Sequence, residues 1–143
     1  MKHSLWPLFL SFAALMASVF IFSDWSGVTT LNDEPCQLDQ GSCPIQLGPR
    51  QGRIMLTPQP IPLEEELTLQ FELPEGWQLN SAVIEGVNMY MGQIPVIFEG
   101  PNRGITFLGA CSEPRMQWRL ALRLEQQDQN ATISRELYFT TQR

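Results

Sequence analysis

Histidine and lysine are almost missing from this 143-residue chain: the only histidine is His3 and the only lysine is Lys2. Everything beyond the third residue must therefore work without imidazole or ammonium. This excludes Ser-His-Asp and Cys-His catalytic arrangements there, and any His-ligated zinc or Cu(II) site. No phosphate cradle of the GxxxxGK[ST] type occurs, and GVNMYMG is not a dinucleotide fingerprint. Positive charge is scarce too, with Lys+Arg at 9 against Asp+Glu at 15 and a net charge of −6. A nucleic-acid partner needs a basic face, and adsorption to anionic headgroups needs basic clusters. The expectation is no enzyme and no nucleic-acid partner. Internal repeats and low-complexity tracts are also lacking.

What is present begins with one long uncharged run, SLWPLFLSFAALMASVFIFS, from Ser4 to Ser23. As a helix it would cover roughly 30 Å, the thickness of a bilayer core. Pro7 falls in the first turn, where its missing N–H costs little. Lys2 and His3 precede the run, Asp24, Asp33 and Glu34 follow it, and the next basic residue is Arg50. By the positive-inside rule the N-terminus stays in the cytoplasm and the bulk of the chain is periplasmic or extracellular. Residues 1–23 therefore read as a cytoplasmic stub and single-pass anchor in the inner (cytoplasmic) membrane. Residues 24–50, rich in Ser, Gly, Pro and Asp, read as a linker, and 51–143 as an exported domain. A cleavable signal peptide is the rival reading. Its apolar region is usually about 7–15 residues and ends at a small-x-small site, whereas this run is longer and closes on Val19-Phe20-Ile21-Phe22.

Beyond Gly52 the hydrophobic period is two. In RMQWRLALRL (115–124), Met116, Trp118, Leu120, Leu122 and Leu124 share one face, and Arg115, Gln117, Arg119 and Arg123 the other. ELTLQFEL (66–73) repeats the pattern, with Leu67, Leu69, Phe71 and Leu73 inward. IPVIF (94–98) and ITFLGA (105–110) flank the turn GPNRG, as a hairpin would. RIMLT (53–57), NSAVIEGV (80–87) and ATISRELYFT (131–140) complete seven expected strands, with no amphipathic helix among them. The fold expected is all-β, an immunoglobulin-like antiparallel β-sandwich preceded by one N-terminal transmembrane helix, with a small β-barrel as the alternative. The arginines at 115, 119 and 123 suggest charge pairing across strands, with Glu66 and Glu72 as available acids.

Sulfur is the remaining chemistry. Cys36, Cys43 and Cys111 make an odd count, and outside the cytoplasm one pair should oxidise. Any of the three pairings is open. Met89 and Met91 stand two apart in EGVNMYMG, so on an extended chain they face the same side. Met116 lies five residues after Cys111. Thioether and thiolate donors without imidazole favour Cu(I). Core filling, at which methionine also excels, is the competing explanation for each.

The order EGVNMYMG, FLGAC, MQW resembles an uncharacterised family of single-pass bacterial exported β-domain proteins with a GVxMxMG…C…MxW pattern. The likeness covers roughly residues 80–120, with a fainter echo in CQLDQGSC. Members of that family are similar to accessory proteins found with copper-delivery and cytochrome oxidase assembly systems. The resemblance implies that Met89, Met91, Cys111 and Met116 act as one unit in binding or passing Cu(I). The alternative is a protein-interaction module docked beside a membrane complex through a sheet edge or the 88–95 loop, with no metal.

Overall fold

The computed structural model describes residues 36–143, so the expected anchor at 1–23 and the first part of the expected linker lie outside the described residues. Among the described residues no helix is long and apolar enough to cross a membrane. The strands are β1 (Ser42–Leu47), β2 (Arg50–Thr57), β3 (Glu66–Glu72), β4 (Trp77–Gly86), β5 (Gln93–Pro95), β6 (Ile97–Phe98), β7 (Arg103–Phe107), β8 (Arg115–Gln126) and β9 (Ala131–Gln142). They form two sheets, in the orders β1-β2-β3-β7-β6 and β5-β4-β8-β9. Every pairing between named strands is antiparallel. The described residues are thus all-β, built as two open sheets and not as a closed barrel.

The period-two pattern decides which side chains meet between the sheets. Met116, Trp118, Leu120, Leu122 and Leu124 of β8 are all buried, as are Leu67, Leu69 and Phe71 of β3. Trp118 lies against Phe139 of β9 with ring centroids 6.3 Å apart. Its indole N–H donates to the Thr141 hydroxyl at 2.9 Å, which satisfies two polar groups inside the core. The GPNRG turn closes the expected hairpin, pairing Ile97 with Ile105 and Phe98 with Gly104.

Three readings of the sequence are revised. The stretch read as linker contains β1, whose alternation buries Cys43, Ile45 and Leu47. Pro44 and the flanking glycines made it look like a loop, but β1 is an edge strand, where a missing N–H is tolerated. Residues 94–98 do not make one strand. Pro95 ends the pairing with β4, the Val96 N–H donates to Ala82 O at 3.0 Å, and Ile97 then joins the other sheet. The arginine face also pairs differently, because Glu66 and Glu72 belong to the opposite sheet. Arg119 bonds Glu85 and reaches Glu136 at 3.5 Å, both on strands flanking β8, while Glu72 pairs with Arg53 at 3.7 Å.

A one-turn 3-10 helix at Leu38–Gln40 leads into β1. Its Leu38 is fully buried, Gln37 bridges to Tyr138 on β9, and the Gln59 amide donates to Leu38 O at 2.8 Å. This turn plugs the opening between the two sheets on the β1/β9 side. The bonded pair Cys36–Cys43 ties it to β1 with Cα atoms 5.7 Å apart.

Candidate functional site

Strand register places the candidate sulfur residues at one end of the sandwich. Gly86 faces Trp118, so β4 ends beside the start of β8, and Phe107 faces Glu66, so β7 ends beside the start of β3. The connections 58–65, 87–92 and 108–114 therefore emerge at one end of the sandwich. Met89 and Met91 lie on the second of these, Cys111 on the third, and Met116 is the second residue of β8.

Two residues shape the 87–92 loop, and neither was singled out from sequence. The Val87 N–H donates to Gln117 O at 2.8 Å, the last regular step of the β4–β8 ladder. Asn88 then supplies its side chain where another strand residue would supply its backbone. Its amide donates to Arg115 O at 3.0 Å, and its side-chain oxygen accepts from the Gln117 N–H at 2.9 Å. The ladder continues while the main chain turns away towards Met89. Asparagine's habit of imitating backbone in turns is the available signal for this role. Replacing Asn88 with alanine removes both bonds at an exposed site and should cost about 1–2 kcal/mol. Asn88→Asp, which keeps only the acceptor, should fall between alanine and parent in urea denaturation; equal stability of all three would contradict the clamp.

Gly86 is the second. A Cβ there would overlap both the Met89 carbonyl oxygen and the Met116 Cε, so the loop and the core methionine close over this residue from two sides. The structure thus brings the Met89 main chain and the tip of the Met116 side chain to one residue. Met89 and Met91 are half-buried and pack on the rim of the core, whereas Tyr90 between them is 90% exposed. Gly92, at φ 74, takes the chain into edge strand β5. Both methionines pack against the core, but Met89 sits at a bend and Met91 in a loop, not on the extended strand that their spacing suggested.

Met116 has no exposed surface, and Cys111 is buried, its thiol donating to Glu113 O at 3.7 Å within the 108–114 connection. Of the three possible cysteine pairings the structure has Cys36–Cys43, leaving Cys111 as the free thiol. Among the described residues no group of three or more His, Cys, Asp or Glu is placed to hold a metal ion. Any metal at this end would rest on thioethers, with Cys111 as the one thiol nearby in the fold.

Away from the loops, Arg119 is flanked by two carboxylates. Its hydrogen bond, followed by one from Gln93 at 2.7 Å, holds the Glu85 carboxyl below its usual range. A lowered carboxylate stabilises the fold above its unfolded pKa, and that contribution fades as pH falls through the folded value. The group is half-buried on the outer face of the sheet, and solvent still screens it. Tyr138 donates to Glu136 at 3.0 Å, a bond that holds its phenol protonated to higher pH.

Comparison with known proteins gives no match: no protein-family model, curated protein or solved structure matches the chain.

Proposed function

We propose that this is a membrane-anchored exported domain that binds or passes Cu(I) through methionine sulfur, in the maturation of a respiratory oxidase. The observation that carries the reading is that the Met89 main chain and the Met116 side-chain methyl meet at Gly86, with Met91 on the same loop and Cys111 on the next. Soft donors on neighbouring segments at one end of the sandwich, with no imidazole to compete, suit Cu(I) over Zn or Cu(II). Met89 and Met91 are the partly accessible pair and would meet the ion first; Met116 or Cys111, both buried, would offer a third donor from within. The Cys36–Cys43 bond supports an oxidising compartment, in keeping with an anchor at 1–23 and a cytoplasmic N-terminus.

The domain itself we read as immunoglobulin-like. The order β2-β3-β7-β6 corresponds to strands A-B-E-D of that fold and β4-β8-β9 to C-F-G, with β5 as a C′ edge and β1 as an added edge. The core tryptophan departs from the pattern, since it sits on the F position instead of C.

Cu(I) competition against a chromophoric chelator tests the function. The full chain should take up one equivalent, and Met89→Leu/Met91→Leu should weaken binding at least about tenfold, the effect of losing roughly 1.4 kcal/mol of ligation. Leucine keeps volume and apolarity at a usual cost below about 1.5 kcal/mol, so the variant should remain folded. Undiminished affinity in the folded double variant would end the reading. A second function, a protein-interaction module without metal, is favoured by a separate observation: Ile97 and Phe107 are 62% and 54% exposed.

A further inference from the structure

Strand β7 breaks the rule that its neighbour β3 obeys. In RGITF the small residue Gly104 and the polar Thr106 point inward and are buried, while the bulky Ile105 and Phe107 point outward. Contacts on the inner face lock this orientation. A Cβ on Gly104 would overlap Val96 Cγ1, and Phe71 Cε2 would lie 3.5 Å from it. The Thr106 hydroxyl donates to Pro95 O at 3.2 Å. A slip of one residue would drive Ile105 and Phe107 into space that Val96 and Phe71 already fill. The outward apolar face is therefore imposed by the core. It continues across the register pair Ile97–Ile105 onto edge strand β6, and with Ile94 and Pro95 of edge strand β5 it forms an open groove of about 290 Å³.

One end of this groove is acidic. Glu66 stands opposite Phe107 and lines it, with the exposed Glu64 and Glu65 just before. Among the described residues none of these three carboxylates has an ion-pair partner. Glu64 is held in the left-handed region at φ 60, and its N–H donates to Leu108 O at 2.9 Å. A symmetric dimer through this face would set two such rims against each other, and anionic lipid would be repelled. Charge complementarity selects a cationic occupant.

We propose that the groove between β5 and β7 docks an extended segment of a partner protein that carries a bulky apolar side chain beside an arginine or lysine. The apolar side chain enters between Ile94, Ile97, Ile105 and Phe107, and the basic group meets Glu66. Apolar contact supplies affinity, and the carboxylates select against acidic sequences. The inference develops the interaction reading and uses none of the candidate copper sulfurs.

Selection of displayed random peptides on the immobilised full chain tests it. Enriched peptides should pair Trp, Phe, Leu or Ile with Arg or Lys within two positions. Phe107→Ser and Ile97→Ser should each weaken a selected synthetic peptide about tenfold or more, as loss of a central apolar contact does. Both side chains are exposed, so melting should stay near that of the parent. Glu66→Lys, also exposed, should turn the preference from basic to acidic peptides, and it decides the matter even if Phe107→Ser unfolds. Met89→Leu/Met91→Leu should bind the peptide as the parent does, so this result and the copper result can fail separately. The proposal is overturned by absence of enrichment, by binders lacking basic residues, or by peptide binding that survives both serine variants. It is equally overturned if Phe107→Ser instead abolishes a dimer of this chain or its adsorption to neutral phosphatidylcholine vesicles, since the groove would then serve self-association or lipid.

Discussion

Replacing Trp118 with alanine should lower the unfolding free energy by about 3–5 kcal/mol, the range for truncating a large buried aromatic side chain. Trp118 has no exposed surface, stacks on Phe139 and hydrogen-bonds Thr141. The alanine variant loses the ring, leaves a cavity between the sheets and strands a buried hydroxyl. For a domain of this size each kcal/mol moves the melting temperature by about 4–8 °C, so the fall should reach at least roughly 12 °C. Trp118→Phe separates the two contributions. It retains most of the packing but not the N–H, and should cost about 1–3 kcal/mol, the penalty for leaving a buried polar group unpaired. Thr141→Val in the Trp118→Phe background removes the stranded hydroxyl and should recover part of that loss. An alanine variant that melts with the parent would mean that β8 does not present this face to the core.

Trp118 was legible in the sequence because β8 is uninterrupted and strictly alternating, and the same holds for β3. Alternation fails as a guide where the chain changes sheets. Residues 94–98 look like one apolar strand, yet Val96 is buried between a residue that pairs with β4 and a residue that pairs with β7. The inverted face of β7 was hidden for a related reason. Alternation in ITF would send Ile105 and Phe107 inward and Thr106 outward, and only the fit of Gly104 against Val96 and Phe71 reveals the reverse. Strand β1 was concealed by Pro44, a residue that argues against a central strand but not against an edge.

The candidate site was partly legible. The spacing of Met89 and Met91, the turn at Gly92 and the edge position of Pro95 all follow from local rules of backbone geometry. The meeting of Met89 with Met116 does not. It depends on the register that sets Gly86 opposite Trp118 and on Asn88 holding the rim of β8, both contacts between segments nearly thirty residues apart in sequence. The cysteine pairing was beyond sequence for the same reason, since it follows from the docking of Leu38 between the sheets.

Gly86→Ala should strike the candidate site and the fold together. One of the two atoms in the way, the Met89 carbonyl oxygen, belongs to the backbone and cannot swing aside; the other, Met116 Cε, ends a side chain enclosed on all sides. Overpacking of this kind usually costs about 1–3 kcal/mol, and a backbone obstacle places Gly86→Ala at the top of that range. The cheapest relief is displacement of the 87–92 loop, which parts Met89 from Met116 and strains the Asn88 clamp. Cu(I) affinity should therefore fall at temperatures where far-UV circular dichroism still reports intact sheets. Gly109→Ala serves as the control. It lies on the neighbouring 108–114 loop, has no atom within 4 Å of the added methyl, and should change stability by no more than about 0.5 kcal/mol with copper binding unaltered. If Gly86→Ala melted and bound Cu(I) like Gly109→Ala, the closure of Met89 and Met116 over this glycine would not exist in solution. The copper reading would then lose the observation on which it rests, whatever the Met89→Leu/Met91→Leu variant showed.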